Sequence, residues 1–243
     1  PLHPFSNGGT DSFAQAEILN LYDPHRSKQI TEKGKASDAA AFDAFVNTIA
    51  SGDGKGLAIL AEPKSSPTRN RLRAALASKF PDMIWAEYDP LAAMPSEEAA
   101  AASFGPNVRL VPNFSRADIV LAIDSDFLNP IETGIGYAQG FAARRNPDQK
   151  GAPMNRLYVA ESALTLTGSM ADHRLRVASS HMLALTAKIV AAAYPAAESA
   201  VAPFSQGLKV DAKWIEACAA DLMANRGAAL VVAGSHLPAE IHA

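Results

Sequence analysis

The chain contains a single cysteine, Cys218, among 243 residues. One thiol cannot close an internal disulfide, and it cannot hold an iron–sulfur cluster or a structural zinc by itself. Set between Ala217 and Ala219 in a helical pattern, Cys218 reads as a small buried core residue. No apolar run reaches the roughly 18 residues that a membrane-crossing helix requires, so no direct membrane insertion is expected. Charge of one sign is also scarce, with 22 Lys and Arg against 25 Asp and Glu for a net charge of −3. Without a basic run there is no long-range attraction to phosphate backbones, and neither nucleic acid nor an anionic membrane surface is expected as a direct partner.

Several catalytic signatures are missing as well. The six histidines, His3, His25, His173, His181, His236 and His242, show no H-x-x-x-H or H-E-x-x-H spacing, which leaves a zinc hydrolase unsupported. No G-x-S-x-G elbow marks a serine hydrolase. The glycine cluster Ser51-Gly52-Asp53-Gly54-Lys55-Gly56 precedes a strand, and Lys55 is followed by Gly56, so the phosphate-loop pattern fails and a flexible turn is the better reading. Gly134-x-Gly136-x-x-x-Gly140 has the wrong spacing for a dinucleotide fingerprint. It lies about ten residues beyond its strand, where the fingerprint needs the glycine in the turn itself. Glycines there let a helix approach a sheet closely.

What is present is a chain that is 48% hydrophobic and 19% charged, enough to bury a full core in one large domain or two small ones. Residues 1–36 read as an irregular arm broken by Pro and Gly, and 37–243 as a regular α/β body. Helices are expected at Ala39–Ile49 behind Ser37, at Pro67–Lys79 behind a Ser cap, at Glu97–Phe104, from Asn129-Pro130 through Arg145, over 183–193 and at Ala212–Asn225. Strands are expected at Leu57–Ala61, Met83–Tyr88, Ala117–Ile123, Leu157–Ala160 and Ala228–Ala233, with Val108–Pro112 as an edge strand or extended segment. Ala117–Ile123 is apolar and β-branched without alternation, as in a strand covered on both faces. The alternation implies a doubly wound, mostly parallel sheet of about five or six strands with helices on both faces. The absence of a starting Met and the stop close behind a strand suggest a fragment of a longer polypeptide.

In such a sheet the carboxyl-end loops meet at one edge, where ligands bind. Three of them carry polar groups: Asp124, Ser125 and Asp126; Glu161, Ser162, Thr165, Thr167 and Gly168; and Gly234-Ser235-His236. Carboxylates there suit a guanine edge or a ribose, but Asp and Ser are equally common as strand terminators and helix caps. A second anion site is conceivable at the start of the Pro67 helix, with Ser65, Ser66 and Arg69, although every helix needs a cap. Asp172 beside His173 suggests an acid/base pair or metal ligands. Neighbouring residues diverge on a strand or a helix, however, so a salt link or a cap fits better.

The string from Tyr158 to Leu175, Y-V-x-E-S-x-x-T-L-T-G-x-x-A-D-H-R-L, resembles the molybdopterin oxidoreductase superfamily. Within it, the string is most similar to the cofactor-poor large subunits of alternative complex III and related membrane quinone oxidoreductases. The resemblance extends to P-L-H-P-x-S-x-G-x-T-D-x-F-x-Q-A over Pro1–Ala16, to Ser66-Pro67-Thr68, and to W-x-x-Y-x-P-L from Trp85 to Leu91. It implies a domain of a large subunit on the periplasmic side of the membrane, in an exported parent that acts in quinol oxidation or reduction beside other domains and subunits. Iron–sulfur clusters would then sit elsewhere in the parent. The nucleotide end of a molybdopterin guanine dinucleotide would lie near Asp124, Ser125, Asp126, Glu161, Ser162, Thr165, Thr167 and Asp172. In the molybdenum enzymes the position of Glu161-Ser162 commonly reads Asp-Pro-Arg, and this sequence keeps only the acid. The resemblance therefore implies a scaffold with no redox centre of its own, no cofactor in this fragment and a vestigial nucleotide pocket. The alternative is a working dinucleotide-dependent oxidoreductase.

Overall fold

A computed structural model describes residues 6, 8–63, 66–89, 95–106, 108, 110–129, 134–146, 148, 151 and 154–242. The chain divides into two compact units, Ala16–Ala92 and Pro1–Gln15 together with Ala93–Ala243.

In the Ala16–Ala92 unit, strands β1 (Ile30–Glu32) and β2 (Lys35–Ser37) form a short antiparallel hairpin inside the stretch expected to be irregular. Helix α1 (Ala39–Ala50) follows, capped by Asp38, whose carboxylate accepts from the Ala41 N–H at 2.9 Å, one residue later than the Ser37 cap expected. Strand β3 (Ala58–Ala61), helix α2 (Pro67–Lys79) and strand β4 (Ile84–Glu87) make a β-α-β unit with parallel strands. Ser66 caps α2 through the Arg69 N–H, with Pro67 in the first turn.

The second unit holds helix α3 (Pro95–Phe104), strand β5 (Ile119–Ile123), helix α4 (Ile135–Ala142) and strands β6 (Arg156–Glu161) and β7 (His173–Arg176). Helix α5 (Met182–Ala193), helix α6 (Ala212–Ala224) and strand β8 (Ala229–Ala233) complete it. Its sheet is wholly parallel, in the order β7-β6-β5-β8. The first strand, β5, lies inside, the next two are added on one side and the last on the other, so the order reverses between β5 and β8. Among the described residues this sheet has four strands, and a sheet of five or six is not shown. Strands β3 and β4 bond to each other in a separate ladder, and Val108–Pro112 contains no strand among its described residues. The expected helix start at Asn129-Pro130 falls on 130–133, outside the described residues.

Alternation along the strands divides the core. Ile119, Leu121, Ile123, Tyr158 and Ala160 face Met182, Leu185 and Ile189 of α5 and Ile215, Cys218 and Leu222 of α6. Val120, Ala122, Leu157 and Val159 face Phe114, Phe127 and Phe141. All five residues of β5 are buried, as its unalternating apolar sequence requires of a strand covered on both faces. Strand β6 is tied to α6 by polar groups too. The Tyr158 hydroxyl donates to Asp221 at 2.6 Å, and Arg156 pairs with the same carboxylate. Burial pushes the Tyr158 phenol up to about 12, helped by its bond to Asp221. Burial also raises the Asp221 carboxyl, but the bonds from Tyr158 and Arg156 outweigh it and hold the group below its ordinary value.

Candidate functional site at the carboxyl edge of the sheet

Each parallel strand of the four-stranded sheet sends one residue from its carboxyl end into a single hydrogen-bonded cluster. Asp124 follows β5, Ser162 follows β6, Ser179 follows β7 and His236 follows β8. The Ser162 N–H donates to Asp124 Oδ1 at 3.2 Å. The Ser179 hydroxyl donates to Asp124 Oδ2 at 2.5 Å and lies 3.2 Å from the Ser162 hydroxyl oxygen. His236 Nε2 is 3.2 Å from Asp124 Oδ2. Asp124 has a φ of 44°, in the left-handed region where Asp is among the better-tolerated non-glycine residues. Its own N–H donates to the Ala160 carbonyl at 2.7 Å, and the Gly234 N–H donates to the Ile123 carbonyl at 2.9 Å. At Gly234 an added Cβ would lie 2.2 Å from the Asp124 carbonyl oxygen and 2.6 Å from His236 Cε1, so only glycine lets β8 leave the sheet at this point.

Chemically this is a carboxylate hub. The Asp124 side chain is 10% exposed and the His236 side chain 58%. His236 Nε2 can donate to the carboxylate in the tautomer that carries its proton there. The Ser179 hydroxyl bonds to the carboxylate and to the Ser162 hydroxyl, and neither serine hydroxyl bonds to the imidazole. The nucleophile-to-base contact of a Ser-His-Asp relay is therefore not assembled.

The remaining expected site residues have other engagements. Glu161 is 1% exposed. Its carboxylate accepts from the Thr165 hydroxyl at 2.6 Å and from Arg174 Nε at 2.5 Å. Gly168 lies so close that a Cβ there would fall 1.7 Å from Glu161 Oε1. Thr165 caps the helical turn Leu166–Ser169 through the Gly168 N–H. Thr167, fully buried, donates its N–H and its hydroxyl to Asp126 Oδ1 at 2.9 and 2.8 Å, and its oxygen accepts from the Leu128 N–H. The loops after β5 and β6 are thus bolted together. Asp172 is not among them. It precedes β7 at the opposite, amino edge, where Oδ2 accepts from the Leu157 N–H at 2.7 Å and pairs with Arg145. Its neighbour His173 stacks on Tyr158 with ring centroids 4.6 Å apart.

Ser125 lines a cleft of about 450 Å³ with Glu97, Phe114, Tyr137, Val232 and Ser235, beside the point where the strand order reverses. His242 lines it too, and burial holds its imidazole below the ordinary value. Open parallel sheets receive ligands at this place. Sequence reasoning marked the loop at Gly234–His236 but not the link from His236 to Asp124, and it missed Ser179, whose only signal was its position just beyond an unrecognised strand.

A guanine edge offers paired N–H donors to a carboxylate that presents both oxygens outward. Glu161 is enclosed and holds Arg174 and Thr165, Asp126 turns Oδ1 inward to Thr167, and both Asp124 oxygens are occupied within the hub. As arranged, none of these three carboxylates presents both oxygens outward to a guanine edge. Among the described residues no group of three or more His, Cys, Asp or Glu side chains is placed to hold a metal ion. Comparison with protein-family models and with curated proteins finds no match to this chain.

Proposed function

We propose that the chain is a domain of a molybdopterin-oxidoreductase-like large subunit in a membrane-associated quinol oxidoreductase complex on the periplasmic side, and that it serves as a scaffold. In this reading the four-stranded sheet belongs to a doubly wound domain, the parent's clusters are held elsewhere, and other subunits dock around it. One observation carries it. The distinctive residues of the Tyr158–Leu175 string interlock with one another and with the neighbouring loops: Glu161 with Thr165, Gly168 and Arg174, Thr167 with Asp126, and Asp172 with the Leu157 N–H. A pattern that serves internal architecture persists without a cofactor to bind.

The cleft beside the strand-order reversal favours a second reading, in which the parent is a working oxidoreductase with this domain near the nucleotide end of its cofactor. Molybdenum analysis of the intact parent protein separates the two. The scaffold reading expects no stoichiometric metal, and one molybdenum per chain would overturn it. Calorimetric titration of this chain with guanine nucleotides is expected to give no heat of binding.

A further inference from the structure

The segment that follows β8 is tied down at its start and buried without a polar partner at its end. At the start, His236 Nε2 lies 3.2 Å from Asp124 Oδ2, and the Leu237 N–H donates to the Gly234 carbonyl at 3.0 Å. Leu237 is buried in the core around α5 and α6. Beyond it the chain makes a single helical turn, Ala239–His242, in which the Ile241 N–H donates to the Pro238 carbonyl at 3.0 Å. Ile241 packs on the same core. Ile241 and His242 wall the cleft of about 450 Å³, opposite Glu97 and beside Ser125 and Ser235.

His242 is the weak point of this wall. Its Nε2 is shielded from solvent and meets no hydrogen-bond partner. A neutral imidazole can leave its unprotonated nitrogen bare as an acceptor, whereas an imidazolium must place two charged N–H groups, and a bare charged donor costs more. Burial accordingly holds the ring below its ordinary value of 6.5, against the nearby carbonyls of Gly234 and Leu237, and charge on His236 acts in the same direction as burial. Helices α3 and α5 pack against the turn. Their titratable groups are Glu97, Glu98 and Lys188, the turn itself adds Glu240, and Glu97 alone of these lines the cleft. Among the described residues no carboxylate pairs with His242 to offset a charge there.

We propose that Pro238–His242 is a proton-operated flap on the cleft. It lies closed while His242 is neutral and swings out when that ring takes up a proton, with Leu237 and the His236–Asp124 contact as the fixed hinge. An imidazolium at His236 strengthens the hinge, because its partner is the Asp124 carboxylate. One protonation therefore releases the turn while the other holds its root. The direction follows from linkage. The closed state favours the neutral ring, so closure is at full strength above pH 6.5 and weakens as pH falls from there toward the lowered value. Each pH unit in that window raises the open-to-closed ratio by at most about tenfold.

Thiol labelling inside the cleft of the full chain reads the flap. Ser125→Cys supplies the thiol, and the native Cys218 is buried and does not compete. The labelling rate is compared with that of the same cysteine beside His242→Gln, which stays neutral at every pH. The ratio is expected to be close to one at about pH 7.5 and to rise severalfold by about pH 5.5. Beside His242→Lys, charged throughout, the rate should be fast at both. Amide exchange of Ile241 relative to Leu121, in chains without the new cysteine, should follow the same pattern and guards against a distortion by Ser125→Cys. A ratio that stays at one in acid, or a His242→Lys flap that labels and exchanges as slowly as His242→Gln, would each overturn the proposal.

Discussion

At the scale of single residues, Glu161 and Cys218 make opposite use of burial. The Glu161 carboxylate is enclosed with Arg174 and Thr165, and removing one member of such a pair leaves the other charge without compensation. Glu161→Ala is therefore expected to destabilise the chain by about 3 kcal/mol in urea unfolding. Gly168→Ala, which drives a methyl group into the same carboxylate, should destabilise in the same direction. A carboxylate held poised for a ligand behaves differently, since its removal is commonly neutral or stabilising. An unchanged or raised midpoint for Glu161→Ala would thus argue for a binding role. At Cys218 burial, helped by the negative charge of Asp221, pushes the thiol from 9.0 up to about 12. Its stabilising contribution, present in full below the unfolded value, is lost as pH rises toward the folded value, because only the unfolded chain gives up the proton in that window. Tyr158, raised from 10.0 to about 12, acts in the same sense. Stability measured from pH 8 upward should fall, and less steeply in Cys218→Ala. Equal slopes would mean that the thiolate is tolerated in the folded core.

At the scale of elements, strands and helices with strong local signals were legible, and those defined by their neighbours were not. Strand β5 and the apolar part of β6 stood out as apolar runs, and α2 by its Ser-Pro start. Ser66→Ala removes the side chain that meets the Arg69 N–H, and is expected to cost about 1 kcal/mol. Amide exchange confined to the first turn of α2 would register that loss, whereas an unchanged rate there would show that the cap contributes nothing. Strand β7 escaped detection because Leu175 is the one apolar residue of His173–Arg176, and a polar edge strand has no apolar run to mark it. The hub was legible only in part: the loops carrying Asp124, Ser162 and His236 were expected to meet at one edge, but Ser179 and the bonds between them were not. Asp124, Ser162, Ser179 and His236 are spread over more than a hundred positions and are joined only by the parallel sheet that aligns their strand ends. The role of Glu161 was hidden because an acidic residue after a strand looks exposed, and its partner Arg174 lies beyond an intervening turn.

At the scale of the whole molecule, burial is distributed very unevenly between the two compact units. The buried apolar side chains around β5 and β6 form two contiguous clusters, one on each face of the four-stranded sheet. In the Ala16–Ala92 unit Phe80 is the one buried apolar side chain among the described residues, while Phe42, Phe45, Leu60 and Ile84 are exposed. Burial of apolar area contributes roughly 25 cal/mol per Å², so the β3–β4 ladder has little from that source to set against the entropy of ordering its own chain. Segments with few buried contacts open at a free energy well below that of global unfolding. Native-state hydrogen exchange should therefore rank the strands. The amides of Leu121 and Val159 are expected to exchange last, through global unfolding and with strong dependence on denaturant. Those of Leu60 and Trp85 should exchange earlier, through local opening that denaturant scarcely changes. Protection of Leu60 equal to that of Leu121, with the same denaturant dependence, would overturn this ordering, because it would require the two-stranded ladder to share the cooperative stability of the buried sheet.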